Sequence, residues 1–177
     1  MLETVIAFLR SIGLEVTIVP GANGFTKGVR IVDGGLHVDP DCRPSALLHE
    51  AGHVSTVPGR FRAYMNDDIA VGVRKMFAEI QSMNLDPEHP LERAAIQCSD
   101  PDATAWAWAA GLAIGLAPEA IIMDDEYFSG GNVIRTMLSM CQYAGINGLA
   151  KAGMCKRGYM VKQDERYPVM TKWLQDY

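Results

Sequence analysis

The chain has 177 residues, 49% of them hydrophobic, so it can bury a substantial core as one domain spanning residues 1–177. Its formal net charge of −5 at pH 7 argues against nucleic-acid binding, because neutralising phosphates needs clustered Lys and Arg. The four cysteines include no C-x-x-C pair, which favours reduced thiols in a cytoplasmic protein over a zinc knuckle or a disulfide framework.

The N-terminal part of the chain predicts a helix followed by a small antiparallel sheet. Apolar residues recur at helical spacing over residues 2–12 and stop at Gly13. The first residues, Met1-Leu2-Glu3-Thr4, lack the basic head and the long apolar core of a signal peptide, so export is not expected. Three short strands are predicted next, at residues 14–19, 28–32 and 36–39. The turn residues Asp33-Gly34-Gly35 join the last two strands as a hairpin.

A helix predicted to begin near residues 41–45 and to end at Pro58 carries the sequence H-E-x-x-H. Residues four apart share one face of a helix, so His49 and His53 would direct their imidazoles at a common point, as zinc ligands do. Glu50 would then reach a water in an open coordination position and act as the general base. The alternative is an ordinary helix with one histidine in the core, the other in solvent, and a solvated Glu50.

The remaining chain predicts mostly helices. They are expected at residues 66–83, 91–98, 103–118, 119–128, 133–144 and 168–175. The most apolar of them, 103–118, is shorter than the roughly 20 residues that span a bilayer, so we expect a buried core helix and no membrane association. The predicted fold class is therefore α+β, with a helical C-terminal half.

The order of these elements, with Leu47-Leu48-His49-Glu50-Ala51-Gly52-His53 after the strands, resembles the zincin metallopeptidases. The similarity covers about residues 28–117 and is greatest to the short cytoplasmic ImmA/IrrE-like group. It implies a zincin-like fold in which the strand at residues 36–39 is a sheet edge that takes up a peptide substrate by strand addition. An ordinary covered strand is the alternative.

The resemblance also implies a third zinc ligand. The H-x-x-G-x-x-H version is absent, because residues 54–59 read Val-Ser-Thr-Val-Pro-Gly. The other version places an acidic residue on a later helix as E-x-x-A, followed by an aromatic residue and alanine, and residues 102–109 match it with Asp102 replacing Glu. The alternative is that Asp100 is the N-cap of this helix, Pro101 its first residue and Asp102 a first-turn acid favoured by the helix dipole. Glu92 is the main rival as ligand, and His89 is a weaker one.

These observations predict a zinc-dependent metallopeptidase that hydrolyses peptide bonds in a peptide or protein substrate. His49, His53 and Asp102 would bind Zn²⁺, and Glu50 would be the catalytic base. The alternatives are a zincin-like protein-interaction or regulatory module with little or no turnover, and zinc-dependent hydrolysis of another bond. Three tyrosines are candidates for stabilising the oxyanion: Tyr64, Tyr127 and Tyr143.

Overall fold

A three-stranded sheet and a larger set of helices make up the computed structural model, which describes residues 1–176. In chain order the elements are α1 (Leu2–Ser11), β1 (Val16–Ile18), β2 (Val29–Val32), β3 (Gly35–Val38), α2 (Pro44–Thr56), α3 (Ile69–Ser82), α4 (Pro90–Ile96), α5 (Asp100–Ala113), α6 (Pro118–Ile121), α7 (Glu126–Ser129), α8 (Gly131–Ser139) and α9 (Ala144–Lys151). Short 3₁₀ segments lie at Gly59–Tyr64 and Gln163–Glu165. The α+β class predicted from the sequence is confirmed.

The sheet is mixed, with the strand order β1-β3-β2. β2 and β3 form the predicted antiparallel hairpin, and its turn residues Asp33 and Gly34 have φ of 49° and 78°, the left-handed pair that suits a two-residue hairpin. β1 pairs with the other side of β3 in parallel. The expectations of an antiparallel sheet and of an edge strand at residues 36–39 are therefore wrong. The loop after β1 crosses to the far side of β3, where β2 begins. Local sequence patterns do not specify this strand order, because it depends on contacts between residues far apart in the chain.

Helix α2 is buried on nearly all sides because it lies between the sheet and α5. Pro44 occupies its first turn, where the missing amide hydrogen costs nothing, and the helix ends before Pro58, as predicted. Gly52 faces the backbone of α5: a Cβ built on it would lie 2.4 Å from the carbonyl oxygen of Ala103. Only a residue without a side chain permits this close approach of the two helices.

The first turn of α5 is enclosed from a second direction by α9. A Cβ built on Gly145 would lie 1.9 Å from the Pro101 carbonyl oxygen, and one on Gly148 would lie 1.7 Å from Oδ1 of Asp102. Small residues therefore let α2 and α9 press on the same end of α5. That packing fixes which acidic side chain of α5 points toward α2.

The C-terminal third departs most from the predicted elements. The helix predicted at 119–128 is instead α6, a loop and α7, which is one turn of left-handed helix. The helix predicted at 133–144 ends at Ser139, and α9 was not predicted. The helix predicted at 168–175 is wrong. That segment is extended and irregular because its amides bond to distant carbonyls: Thr171 donates to Met154, and Gln175 to Ser55.

Nearly all buried apolar side chains of residues 1–176 form one continuous cluster, in which Trp106 of α5 is the largest fully buried side chain. Its indole Nε1–H donates to the carbonyl of Trp173, so the C-terminal segment packs against α5. Within this described part of the chain, no helix has both the length and the apolarity to cross a membrane.

Candidate metal site

His49 and His53 lie one helical turn apart on α2, and their rings converge as the H-E-x-x-H spacing predicts. The two Nε2 atoms are 3.2 Å apart, and the ring planes are nearly perpendicular. The side chain of His53 is 7% exposed and that of His49 is 20% exposed. The alternative of one core and one solvated histidine does not describe this arrangement.

Asp100, the first residue of α5, completes a cluster of three. Its Oδ1 lies 3.2 Å from Nε2 of His49 and 3.5 Å from Nε2 of His53. Ligands at about 2.0–2.1 Å from a tetrahedral zinc ion are separated from one another by about 3.3–3.4 Å. The three measured separations of 3.2, 3.2 and 3.5 Å match that triangle, so the donor set fits a zinc-sized divalent ion.

The predicted third ligand, Asp102, does not join this cluster. Its Oδ2 accepts hydrogen bonds from the amide of Ser99 at 2.9 Å and from the Ser99 hydroxyl at 2.6 Å. Its Oδ1 lies against Gly148 of α9. Asp100 and Asp102 are two residues apart on one helix, which turns their side chains roughly 200° apart, so only one of them can face α2. In this structure that residue is Asp100, and Asp102 is a capping residue of the first turn.

The other proposed rivals of Asp102 also lie outside the cluster. His89 is the residue before α4, and its Nδ1 accepts the amide hydrogen of Leu91 at 3.1 Å. Glu92 lies in the first turn of α4, where an acidic side chain is favoured by the helix dipole. Both side chains are therefore explained by the start of α4.

The electrostatics of the cluster favour a bound cation. Hydrogen bonds from His49 and then His53 hold the pKa of the Asp100 carboxyl well below its usual range. Burial lowers the pKa of the His49 imidazole, but the hydrogen bond and negative charge of Asp100 outweigh it, so that this pKa is raised above 6.5. Both shifts favour the state in which a positive charge lies beside the Asp100 carboxylate.

Glu50 points into the same cleft from the next position on α2 and is 6% exposed. One of its carboxylate oxygens, Oε1, accepts a short hydrogen bond from the hydroxyl of Thr26. Thr26 lies in the loop between β1 and β2. That loop is fastened by the amide of Phe25, which donates to Asp67 at 2.9 Å. The second carboxylate oxygen has no partner among the described residues.

Of the three tyrosines considered from the sequence, only Tyr127 contacts a metal-ligand candidate. Its hydroxyl lies 3.2 Å from Nδ1 of His49 and 3.0 Å from Oγ1 of Thr104 on α5. Burial raises the pKa of Tyr127, so the phenol keeps its proton at neutral pH. Tyr64 donates to Glu79 on α3, and Tyr143 is a buried residue whose hydroxyl faces Thr104.

The other ring nitrogen of His53 has different surroundings. Its Nδ1 is buried and has no hydrogen-bond partner within residues 1–176. A buried polar atom without a partner carries a free-energy cost, and folded proteins contain few of them. Among residues 1–176, the polar contacts of the His53 ring are therefore those of its Nε2, with His49 and Asp100.

The cluster lies in a cleft of about 410 Å³, which we call the central cleft. Besides the cluster and Glu50, its lining includes two further acidic residues before α3 and several apolar or small residues: Phe25, Thr26, Asp67, Asp68, Ile69, Ala70, Val73, Cys98 and Ser99. A second cavity, of about 190 Å³ and bounded by Ala107, Ile121 and Ile122, lies on the other side of His49. Thr26 and His49 border both cavities.

Sequence reasoning missed Asp100, Thr26 and Thr104. For Asp100 a signal was present: Ser99-Asp100-Pro101-Asp102 has the S-x-x-D spacing of a capping box, which assigns Asp102 to the Ser99 amide and leaves Asp100 unassigned. Thr26 lies in an irregular loop, and no local spacing relates it to Glu50.

No protein-family model matches the chain, and no curated protein or solved structure is similar enough to count as a match. The assignment of a function therefore depends on the geometry of the site itself.

Proposed function

We propose that this protein is a zinc-dependent hydrolase of peptide bonds, with a zincin-type site in which Asp100 takes the place expected for Asp102. The observation that carries the proposal is the triangle of His49, His53 and Asp100 atoms beside Glu50 at the base of an open cleft. A structural zinc site closes all four coordination positions with protein ligands, whereas a catalytic site has three and stays accessible. Here the side chain of Asp100 is 62% exposed.

The residues have distinct roles in the proposed mechanism. His49, His53 and Asp100 would hold the ion, which in hydrolases supplies Lewis-acid polarisation of the scissile carbonyl and a more acidic water. Glu50 accepts the proton of the attacking water and passes it to the leaving amine. Thr26 holds one oxygen of Glu50 and leaves the other for that transfer. The central cleft and the cavity beyond His49 provide room for the chain on both sides of the cleaved bond.

The first test compares two isosteric variants of the same helix turn. Asp100→Asn removes an anionic ligand, so zinc content after dialysis should fall from one ion per chain to a small fraction of that. Asp102→Asn keeps a carbonyl oxygen for the Ser99 donors and should retain the full amount of zinc. Elemental analysis of both variants measures this. One zinc ion per chain in Asp100→Asn, together with loss of zinc in Asp102→Asn, would show that Asp102 is the third ligand.

The second test separates catalysis from metal binding. Glu50→Gln keeps the size of the side chain and removes the base, so the zinc-loaded variant should bind one ion and lose about 10²–10⁴-fold in hydrolysis. The measurement is mass spectrometry of new termini in a mixture of unstructured peptides. A zinc-loaded wild-type chain that produces no new termini would contradict the enzyme and favour the interaction module.

A further inference from the structure

Two residues that are not metal ligands link His49 to the backbone of Asp100. The Nδ1 of His49 contacts the Tyr127 hydroxyl at 3.2 Å, and that hydroxyl contacts Oγ1 of Thr104 at 3.0 Å. Oγ1 of Thr104 then lies 3.0 Å from the carbonyl oxygen of Asp100. We call these three contacts the relay. It connects α2 to α5 behind the cluster, through a tyrosine from α7.

The direction of each hydrogen bond in the relay follows from counting hydrogens. A carbonyl oxygen only accepts, so Thr104 must use its one hydroxyl hydrogen on Asp100. Tyr127 must then donate to Thr104, which uses its own hydrogen. The remaining contact is a hydrogen bond only if His49 donates Nδ1–H to the Tyr127 oxygen. With the opposite direction, one of the three bonds is lost.

We propose that Tyr127 and Thr104 are positioning residues that hold His49 as the Nδ1–H tautomer and aim the lone pair of its Nε2 at the metal. This inference rests on the metal site proposed above. A neutral imidazole has one protonated nitrogen, so a donor bond at Nδ1 leaves Nε2 free to be a ligand. In the same ring geometry, the opposite tautomer would present a hydrogen instead.

The backbone around Tyr127 is consistent with a residue held in place for its side chain. Tyr127, Phe128 and Ser129 have φ of 54°, 57° and 64°, a left-handed run that non-glycine residues adopt at a cost. The Phe128 side chain is fully exposed, so packing of that ring does not offset the cost. The turn places the Tyr127 ring against the hydrophobic core and its hydroxyl beside His49.

Two contacts with the start of α2, one from Ser45 and one from Arg43, fix the position of this turn. Ser45 donates its hydroxyl hydrogen to Glu126 at 2.7 Å, and the second carboxylate oxygen of Glu126 accepts the amide of Met123 at 2.9 Å. Arg43 and Asp125 form an ion pair at 2.9 Å beside them. Because Ser45 is one turn before His49, the relay and the ligand share a rigid support.

The experiment measures zinc affinity and the tautomer of His49 in zinc-loaded chains. We expect Tyr127→Phe, which loses only the hydroxyl, to weaken zinc binding by about 10–100-fold in competition with a chromophoric chelator. In ¹⁵N-labelled protein, the Nδ1–H proton of His49 should exchange slowly with solvent in the wild type and rapidly in Tyr127→Phe. The matched control is Tyr167→Phe, which removes a buried hydroxyl that donates to Ala105 on the same helix α5, and it should leave both readouts unchanged.

Thr104 provides a second variant that tests the direction of the relay. Thr104→Val keeps the shape but removes the acceptor, so the Tyr127 hydrogen can turn to Nδ1 of His49 and favour the wrong tautomer. Zinc affinity should fall even though Tyr127 is intact, and Thr104→Ser should restore it. Unchanged affinity and unchanged proton exchange in both Tyr127→Phe and Thr104→Val would overturn the relay. Failure of the wild-type chain to bind zinc would instead overturn the proposed metal site.

Discussion

At the scale of single residues, Thr26 and Glu50 show how a loop far in sequence completes a site on a helix. Glu50 is buried, and its Oε1 accepts a hydrogen bond from the hydroxyl of Thr26. Among residues 1–176, this bond is what orients the carboxylate. A buried carboxylate that loses such a donor retains the cost of desolvation without the compensating bond. The position of the proposed base is thus sensitive to a residue that touches no ligand of the cluster.

We predict that Thr26→Val lowers the free energy of unfolding by about 1–3 kcal/mol and slows hydrolysis without changing zinc content. The carboxylate would lose its fixed orientation while the ligand cluster is untouched. Thermal unfolding, kcat and elemental analysis measure the three effects. Thr26→Ser keeps the hydroxyl and is the control. A Thr26→Val variant with wild-type kcat would mean that this hydrogen bond does not orient the base.

The pKa shifts in the cluster predict how the stability of the metal-free chain depends on pH. The raised pKa of His49 contributes stability that is present below its ordinary value of 6.5 and is lost as the pH rises through the raised value. The lowered pKa of Asp100 contributes stability that is present above 3.8 and is lost in acid. Between these two values the pair stabilises the metal-free fold most.

We therefore expect the Tm of the wild-type chain, measured in excess chelator, to fall as the pH is raised above 6.5. Asp100→Asn removes the partner that raises the pKa of His49, so its Tm should fall less over the same range. Calorimetry in chelator at a series of pH values measures the difference between the two proteins. Equal slopes for both would show that the His49–Asp100 pair does not control stability in this range.

At the scale of secondary-structure elements, the cluster depends on the distance between α2 and α5. Gly52 lies in the H-E-x-x-H stretch and faces the Ala103 carbonyl, one turn after Asp100. A methyl group there would push the first turn of α5 away from His49 and His53. The glycine thus couples helix packing, which is a stability property, to ligand geometry, which is a functional one.

Gly52→Ala should therefore lower both stability, by about 1–3 kcal/mol, and zinc affinity. The comparison variant is Gly148→Ala on α9, which presses on the opposite side of α5 at Asp102. It should cost a similar amount of stability and affect zinc affinity less. Denaturant unfolding and chelator competition measure the two quantities. Undiminished zinc affinity in Gly52→Ala would show that the spacing of the two helices does not determine the cluster.

Elements that follow local rules were predictable, and those set by distant partners were not. The convergence of His49 and His53 follows from helical periodicity, which depends on sequence spacing alone. The choice of Asp100 over Asp102 depends on how α5 is turned, and that is decided by glycines on two other helices. The left-handed turn at Tyr127 is formed by three non-glycine residues, which ordinarily avoid this conformation. The parallel placement of β1 beside β3 is likewise a tertiary result.

At the scale of the whole molecule, the proposed ion would join the two helices at the centre of the fold. His49 and His53 lie on α2, Asp100 lies on α5, and these helices make the most extensive helix contact in the described chain. A ligand that binds only the folded state stabilises it by mass action. Because the unfolded chain cannot hold the three groups together, zinc binding should appear directly in the unfolding free energy.

We predict that zinc at 100 times its Kd stabilises the wild-type chain by about 2.7 kcal/mol relative to chelator. For a chain of this length that corresponds to a rise in Tm of roughly 5–11 °C. Differential scanning calorimetry with and without chelator measures the shift, and a series of zinc concentrations should give a logarithmic increase. Asp102→Asn should shift like the wild type, because its carboxylate faces Ser99, whereas Asp100→Asn should show little shift. An equal shift in all three proteins would place the bound zinc somewhere other than between α2 and α5.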